Sequence, residues 1–594
     1  AYCAGKLPIT TSPGVGTVMA MLAILASLLA VGARGNDQCR QLTADFIVLE
    51  GDATLAAVED DIRADLEAVG INVTTRMLAK DEFNEAMVSG DFNMAFSETW
   101  GPPYDPHSYA ASWTTPDEAH YAALKGLPAP MTQAVLGEKI SEVLTTANPS
   151  DRQQAWSEIL TSLHEQAIDL PLSGKRIPAV INRQRLSSYT PGHQQFDYPV
   201  HTLQVVSGSK TITVAPGGQT GLFVGIGRLD PHSYRPNEFF ANNWVYEGLV
   251  EYGAGGSIQP SLATSWAVAD TVGGGQQYTF TLRQGVQFHD GAAWNCAAAK
   301  LNFDHVLAKP LTTGDWHGWY GLPGQITDWS CPGGEYEFVV TTQDKYYPLL
   351  QELTYIRPLR MLSPTMFHGG LSSDPLTQNS CPEGWGEATL DGVTVKCAGT
   401  LGIAGTGRWK YVETKTSGAG AVTEVVFDRN VDHWALAAGD VERLRLMVYG
   451  SHEAVKAALE ADELDLVVGS GVLDPADVAT MRVSSSDGFE VVLTEPIQNR
   501  IVILNSNKAP TDQLVVRKTI MHAVNKAAII NKELAGLAEP VDSLFPKTAP
   551  YCDADFTPRW DYDLEKAMLL NCLIGLPTTT TTTLAPTPAP TPAP

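Results

Sequence analysis

Residues 91–121 bring together side chains that could bind a small solute. Trp100 and Tyr104 flank a Gly-Pro-Pro break, an Asp-Pro-His turn follows, and Glu118 and His120 come shortly after. Aromatic and polar side chains on a loop just past a strand commonly line ligand pockets in α/β proteins. The pattern predicts a ligand-binding loop, although a surface loop whose aromatic side chains cover the edge of a core has the same composition.

The elements around this loop predict how it is positioned. The apolar run Met94–Phe96 is typical of the end of a buried strand, and Gly101–Pro103 predicts that the strand ends shortly after it. Phe46–Leu49 reads as a strand, and Val58, Ile62, Leu66 and Val69 recur on one face of a helix. Because strands and helices alternate, the sequence predicts an α/β protein with the loop at a strand end.

The second half of the chain shows similar patterns. Tyr278, Phe280 and Leu282 alternate with polar residues, which predicts a half-buried strand. Asn295 is a candidate cap for a helix that runs to Leu307. A further helix is expected over 516–530, and a new strand is expected to begin at 211.

Composition and motifs narrow the function classes. The 594 residues carry a formal net charge of −26, which argues against nucleic acids and anionic membranes as partners. The sequence holds no C-x-x-C pair, H-E-x-x-H motif, nucleophile elbow or phosphate-binding loop. Among the possible function classes, an enzyme is therefore the least expected.

The eight cysteines favour an oxidising compartment. Neighbours in the sequence favour the pairs Cys381–Cys397 and Cys552–Cys572, and Cys296–Cys331 is a weaker expectation. Buried free thiols are the alternative.

The two ends of the chain differ from the rest. Residues 18–33 are an apolar run that is short for a membrane span and resembles the hydrophobic part of a signal peptide, with a short membrane anchor as the alternative. Residues 576–594 are rich in Thr and Pro, which predicts an extended, disordered linker.

Seven blocks of the sequence carry a family resemblance. The blocks are TWGPPYDPHSY (Thr99–Tyr109), Leu229–Tyr252, Pro260–Trp266, YTFTLRQGVQFHDGAAW (Tyr278–Trp294), Tyr346–Arg360, GTGRW (Gly405–Trp409) and Lys508–Lys526. They resemble the nickel-binding branch of the nickel/dipeptide/oligopeptide family (family 5) of bacterial solute-binding proteins, which serve ABC importers. Together they cover nearly all of residues 36–575.

The order of these blocks differs from the family order. The block at Leu229 opens the family's mature chain and the block at Trp100 lies near its end, so the order here resembles a circular permutation or one period of a tandem array. The old termini would be fused near 206–210.

The resemblance implies a two-lobed periplasmic-binding-protein fold of type II, of the large cluster C type. Segments 36–172 and 496–575 would form lobe II, and 173–495 would form lobe I. Residues 1–35 would be a linker with the hydrophobic segment, and crossings near Ser173 and Glu495 would act as the hinge.

The resemblance also implies a ligand, which is nickel in complex with histidine or a small carboxylate, without an organic cofactor. Arg357 would pair with chelator carboxylates, with an ion pair at a helix edge as the alternative role. Glu118 falls where the family has its metal-binding His, with His120 two residues further on, and Trp316 falls where the family has a second pocket Arg. The expected ligand-binding residues are Tyr234, Trp319, Arg357, Trp100, Tyr104, Trp316 and Phe239, and the expected metal contacts are His120 and Glu118.

The implied function is an extracytoplasmic solute-binding protein that captures a nickel chelate between its lobes for uptake by an ABC importer. Such a protein would be secreted or periplasmic and monomeric, or part of a tandem array. A receptor for short peptides or opines is the first alternative. The second is a structural cell-surface protein that kept the fold without ligand binding.

Overall fold

The computed structural model describes residues 41–116, 118, 120–218, 221–232, 238–308, 322–367, 385–390, 393–396, 398–435, 439–484 and 488–574. The expected mixed α/β architecture is confirmed. The strands are β1 (Leu42–Leu49), β2 (Ile71–Leu78), β3 (Met94–Glu98), β4 (Asp169–Lys175), β5 (Pro178–Asn182), β6 (Leu186–Ser187), β7 (Gln204–Val205), β8 (Thr211–Gly218), β9 (Gly221–Leu222), β10 (Val250–Tyr252), β11 (Ile258–Pro260), β12 (Ala263–Asp270), β13 (Gln276–Leu282), β14 (Ile326–Ser330), β15 (Glu337–Thr342), β16 (Glu387–Leu390), β17 (Val393–Lys396), β18 (Trp409–Thr416), β19 (Val422–Arg429), β20 (Arg443–Met447), β21 (Leu466–Val468), β22 (Phe489–Leu493), β23 (Gln498–Leu504) and β24 (Glu539–Pro540). The helices are α1 (Ala53–Ala68), α2 (Lys80–Ser89), α3 (Ala111–Thr114), α4 (Gln133–Thr145), α5 (Pro149–Glu165), α6 (Phe239–Val245), α7 (Cys296–Ala308), α8 (Leu322–Gln325), α9 (Leu349–Glu352), α10 (His452–Glu460), α11 (Pro475–Val483), α12 (Leu514–Ala523), α13 (Lys526–Glu533) and α14 (Leu564–Leu573).

A six-stranded sheet draws its strands from two distant parts of the chain. Its order is β2-β1-β3-β23-β4-β24, so a strand from the C-terminal part is inserted between two strands from the N-terminal part. β1 runs parallel to β2 and β3, whereas β23 runs antiparallel to β3 and β4. The apolar face expected around Ile62 packs into one core with Phe46 of β1 and Ile520 of α12.

An eight-stranded sheet is built from the residues between these two parts. Its main path is β18-β19-β20-β8-β21-β5-β22, and β9 pairs with β8. The strand expected to begin at Thr211 is β8, whose residues from Val214 to Gly218 are all buried. It lies between two parallel neighbours, β20 and β21, which explains its nearly continuous apolar and small-residue run.

A four-stranded antiparallel sheet, β12-β13-β15-β14, forms a third core. The alternation predicted for β13 is present, because Tyr278, Phe280 and Leu282 are all buried. Helix α7 packs into the same core, and the Asn295 side chain accepts a hydrogen bond from the backbone N–H of Ala298 at 3.0 Å, as the capping pattern predicted.

The cysteines follow the sequence expectations only in part. Cys296 and Cys331 form a disulfide, which was the weaker of the expected pairs. The pair Cys552–Cys572 is wrong, because Cys552 is a buried free thiol and Cys572 is itself disulfide-bonded. Burial raises the pKa of the Cys552 thiol well above its usual value. Residues 381 and 397 lie outside the described residues.

The single helix expected over 516–530 is in fact two helices, α12 and α13. Asn525 separates them, because its side chain accepts from the backbone N–H of Ala528 at 3.1 Å and thus caps α13. Its own N–H donates to Asp65 at 2.8 Å, which anchors the break to α1.

The terminal segments 1–40 and 575–594 lie outside the described residues, so the expectations for 18–33 and for the Thr/Pro tail are not tested. Among the helices that the structure describes, none is long and apolar enough to cross a membrane.

Candidate functional site

Two short segments connect the six-stranded sheet with the eight-stranded sheet. Residues 176–177 join β4 to β5, and residues 494–497 join β22 to β23. The two segments run side by side. Thr494 N–H donates to the Ile177 carbonyl at 3.1 Å, Ile177 N–H donates to the Thr494 side-chain hydroxyl at 2.9 Å, and Ile497 N–H donates to the Lys175 carbonyl at 3.0 Å. A paired crossing of this kind lets two bodies rotate with few changes in backbone torsion.

A cavity of about 490 Å³ opens beside these connecting segments. Pro102, from the loop after β3, lines it together with Glu495–Ile497 from the second connecting segment. Residues 190–193 and Tyr252 line it from the side of the eight-stranded sheet. The cavity therefore lies between the two large sheets and has the size of a small-molecule pocket.

The loop after β3 is fixed against the second connecting segment. Asp105 accepts backbone hydrogen bonds from Trp100 at 3.2 Å and from Gly101 at 2.9 Å. Burial raises the pKa of this carboxyl group to about 7. Gly101 has a φ of 78°, and a side chain there would collide with the Ile497 carbonyl oxygen, so glycine is required.

Arg357 and Phe239, two of the predicted site residues, contact each other. The guanidinium carbon lies 3.9 Å from the centroid of the Phe239 ring, and only 6 % of Arg357 is exposed. The Phe196 ring packs edge-on against Phe239 at 5.1 Å, which holds the ring in place. The guanidinium is planar, so an arginine whose position is restricted by such a contact can offer two parallel donors to a carboxylate.

Tyr104 lies against the segment that carries Arg357. Its ring is 4.3 Å from that of Tyr355, two residues before Arg357. The Tyr355 hydroxyl also hydrogen-bonds His107 Nε2 at 2.9 Å and forms a short contact with Ser108. The loop of the six-stranded sheet and the Arg357 segment are thereby joined.

Trp100 is placed differently from Tyr104. It is half-buried, and its ring packs edge-on against Tyr109 at 5.2 Å in an apolar cluster with α4 and α5. Tyr234, Trp316 and Trp319 lie outside the described residues.

His120 is completely buried within the six-stranded part of the molecule. Its Nδ1 hydrogen-bonds the Tyr109 hydroxyl at 3.1 Å, and its Nε2 hydrogen-bonds Asp169 at 2.6 Å. A metal ion at His120 would have to replace one of these hydrogen bonds. Glu118 is half-buried in the adjacent turn, and its backbone N–H donates to the Thr115 carbonyl at 3.1 Å. In the described part of the chain, no group of three or more His, Cys, Asp or Glu side chains is arranged to hold a metal ion.

Sequence reasoning did not single out Tyr355 or His107 as site residues. Both lie in blocks that carried the family resemblance, one in the Asp-Pro-His turn and the other two positions before Arg357. Their aromatic type was visible in the sequence, but their pairing across 248 positions was not.

The chain is similar in sequence to known binding proteins. The family model "Bacterial extracellular solute-binding proteins, family 5 Middle" matches residues 257–589. The Nickel-binding periplasmic protein of Escherichia coli (strain K12) is 33% identical over 347 residues, which are 58% of this chain and 59% of that protein. Heme-binding protein A of Haemophilus influenzae is 25% identical over 341 residues, or 56% and 57% of the two chains.

Among solved structures, NikA from Brucella suis in complex with Fe(III)-EDTA has 31% sequence identity and a TM-score of 0.49, with 61% of this chain and 63% of that chain covered. The chain thus spans less than two thirds of the length of these relatives. Both of these curated relatives are named as binding proteins. Because the family model covers more than half of the 594 residues, the chain belongs to family 5 of the bacterial extracellular solute-binding proteins.

Proposed function

We propose that this protein is an extracytoplasmic receptor that captures a small polar solute between two lobes. The observation that carries the proposal is the placement of Arg357, which is buried on Phe239 while its neighbour Tyr355 packs against Tyr104. The segment that carries the cationic Arg357 thus contacts the loop after β3 through Tyr355 and helix α6 through Arg357 itself. A solute that completes these contacts would favour the closed arrangement of the lobes.

The solute that fits best is a nickel–chelator complex, with nickel held by histidine or a small carboxylate. The guanidinium of Arg357 can donate two parallel hydrogen bonds to one chelator carboxylate. The 33% identical relative is named a nickel-binding periplasmic protein, which supports nickel over other cargo. The chelator would supply most of the metal ligands, and His120 or Glu118 would add at most one.

The lobes of this proposal follow the two large sheets. Segments 36–172 and 496–575 would form lobe II and 173–495 lobe I, with the paired crossings as the hinge. The mixed origin of the six-stranded sheet supports this division.

The positions of the two ends of the described chain support a circular permutation. Leu42, near the start of the described chain, donates its N–H to the Gly70 carbonyl at 3.1 Å. Asn571, near its end, donates to the adjacent Val69 carbonyl at 2.6 Å. The two ends therefore lie close together, which is the condition for joining them and opening the chain elsewhere.

Calorimetric titration tests the ligand. Metal-free protein is titrated with Ni²⁺, with histidine, and with both together. We expect binding of ~1 μM or tighter only when both are present, and a loss of at least ~10-fold in Arg357→Ala. Arg443→Ala is the matched control. Arg443 is an exposed arginine of β20 that pairs with Asp428 of β19, so the variant should bind the solute normally.

Other outcomes would redirect the assignment. Binding of bare Ni²⁺ that is lost in His120→Ala would mean that the chain supplies its own ligand. Heat with short peptides or opines and none with nickel would favour the peptide receptor, to which the glutathione-binding relatives at 24% identity also point. No heat with any of these solutes would favour a structural cell-surface protein.

A reordered chain tests the permutation. Residues 208–574 are followed by a short Gly/Ser linker and then by residues 41–206. We expect it to fold with a melting temperature within a few degrees of the original and to bind the same solute. A reordered chain that is expressed but unfolded would contradict the proposal.

Localisation and partners follow from the same proposal. The protein would act outside the cytoplasm and deliver its solute to the membrane subunits of an ABC importer, as a monomer or as one unit of a tandem array.

A further inference from the structure

A second, smaller cavity lies beside the eight-stranded sheet and shares no lining residue with the cavity between the sheets. Its volume is about 50 Å³, and four basic side chains line it: His201, Arg408, Arg429 and His433. The other lining residues are neutral, so no carboxylate faces this cavity from the described part of the chain. The cavity is thus lined by basic and neutral groups, although the chain as a whole carries a net charge of −26.

The backbone brings the two arginines together. Trp409 of β18 pairs with Arg429 of β19 in antiparallel register, so Arg408 and Arg429 lie at the same end of the hairpin. Asn430 N–H donates to the Arg408 carbonyl at 2.8 Å, and the Asn430 side chain donates to the Gly407 carbonyl at 3.0 Å. These bonds fix the turn that leads to His433.

His201 approaches from a separate element. It lies in the 3₁₀ turn Val200–Thr202, and its carbonyl accepts from Gly439 N–H at 2.9 Å. Burial, together with the positive charges of Arg408, His433 and Arg429, lowers the pKa of His201 to about 3. The imidazole is therefore neutral at physiological pH and can donate one hydrogen bond without adding charge.

The charges of the two arginines are only partly offset by the protein. Arg408 donates to the Ala435 carbonyl at 3.2 Å and Arg429 to the Val441 carbonyl at 3.4 Å. Within the described residues, neither guanidinium forms an ion pair, and each has five N–H donors. Burial lowers the pKa of Arg408, while the carboxylates of Glu247 and Glu251 act on it from a distance.

Glu247 does not fill the cavity. Its carboxylate accepts from His433 Nε2 at 3.0 Å and from Trp434 Nε1 at 2.9 Å, and Glu247 is not among the residues that line the cavity. The nearby Lys410–Asp432 pair, at 3.9 Å, has a largely exposed carboxylate.

We propose that this cavity is a binding site for a small inorganic anion, either a halide or a compact oxyanion. An anion between the two guanidiniums would accept charge-assisted hydrogen bonds and offset their mutual repulsion. The cavity exceeds the ~10–15 Å³ that one water needs, but is far smaller than the several hundred Å³ of an organic-ligand pocket. Its size therefore selects a single small ion over a metal chelate or a peptide.

Anion exchange at constant ionic strength tests the site. Sodium gluconate, whose anion is too large for the cavity, is replaced stepwise by sodium chloride, nitrate or phosphate, and thermal unfolding is followed. We expect the melting temperature to rise and saturate with chloride or with phosphate, because a ligand of the folded state stabilises it by mass action. Chloride-only stabilisation would identify a halide site, and phosphate-only stabilisation an oxyanion site.

The variants Arg408→Gln and Arg429→Gln should weaken the apparent affinity at least ~10-fold, as expected when a charge-assisted hydrogen bond is lost. Arg443→Gln, at an exposed position on β20, should retain the full response. An equal response to all anions, or an undiminished response in both cavity variants, would overturn the proposal.

A second measurement does not depend on the variants folding. Broadening of the ³⁵Cl NMR line by the wild-type protein should be reversed by phosphate or nitrate if they share the site, and should remain unchanged by gluconate. The proposal would also be overturned if the protein did not broaden the ³⁵Cl line and if neither phosphate nor nitrate raised the melting temperature.

Discussion

The ring of Tyr104 lies 4.3 Å from the ring of Tyr355, at an interplanar angle of 38°. Tyr104 belongs to the loop after β3, and Tyr355 is two residues from Arg357. This contact joins an element of the six-stranded sheet to the segment that presents the guanidinium. In the proposed closure of the lobes, this ring contact and the hydrogen bond between Tyr355 and His107 would both link the loop to the placement of Arg357.

The first prediction concerns the geometry of the Arg357 side chain. Arg357→Lys keeps a positive charge but loses the planar pair of donors and the stacking on Phe239. We expect the affinity for nickel–histidine to fall ~10-fold, which corresponds to about 1.4 kcal/mol. Calorimetry checks this, with Arg443→Lys as the control. A lysine variant that binds as tightly as the wild type would show that charge alone suffices.

The second prediction concerns a contact away from the solute. Trp156 Nε1 hydrogen-bonds the Tyr347 hydroxyl at 2.9 Å, and the Arg152 guanidinium lies 4.4 Å from the centroid of the same ring. α5 carries Trp156 and Arg152, while Tyr347 precedes α9, so the contact joins the two proposed lobes. Loss of one hydrogen bond in Tyr347→Phe should cost about 0.5–1.5 kcal/mol in the closed state.

The expected result for Tyr347→Phe is a roughly 2- to 10-fold loss of solute affinity and a larger radius of gyration by small-angle scattering. Tyr411→Phe is the matched control, because the Tyr411 hydroxyl donates to Thr414 at 3.1 Å within one strand. Unchanged affinity in Tyr347→Phe would mean that the contact does not distinguish the open and closed states.

The third prediction separates a structural role of His120 from a metal-binding role. His120→Gln disrupts the buried hydrogen bonds to Tyr109 and Asp169. We expect the free energy of unfolding to fall by about 1–3 kcal/mol, since buried polar groups are left unsatisfied. Urea denaturation measures this change. Nickel–histidine affinity within twofold of the wild type supports the structural role, whereas a loss of ~10-fold or more indicates direct ligation.

The fourth prediction concerns acid stability. Burial lowers the pKa of His107 to about 3. A histidine in the unfolded chain has a pKa of about 6.5, so between about pH 6.5 and pH 3 the unfolded chain binds more protons than the folded protein does. The free energy of unfolding therefore falls as the pH drops through this range. His107→Gln removes this contribution, so its melting temperature should depend less on pH in that range.

Calorimetric melting curves between pH 6.5 and pH 4 measure the effect. The dependence should become shallower without vanishing, because burial also lowers the pKa of His201 to about 3 and that of His289 to about 4. An identical dependence in wild type and variant would contradict a neutral, buried His107.

Local patterns in the sequence predicted local structure well. The alternation at Tyr278, Phe280 and Leu282 identified β13, and Asn295 identified the start of α7. The motif around Trp100 and the segment around Arg357 identified the family. These features depend on neighbours within a few residues, where period and capping decide the conformation.

Long-range pairings were decided only by the tertiary structure. The partner of His120 is Asp169, 49 positions away, and the partner of His107 is Tyr355, 248 positions away. Proximity in the sequence suggested the pair Cys552–Cys572, whereas the fold buries Cys552 as a free thiol.

The sequence by itself determined the α/β class, the family, and the types of side chain that could bind a solute. The tertiary structure decided which of these side chains meet, because β23 inserts between β3 and β4 and brings distant parts of the chain together. Hydrophobic periodicity specifies which face of an element is buried, but it does not specify the partner against which that face packs. The contact between Arg357 and Phe239 and the pairing of His120 with Asp169 depend on that choice of partner.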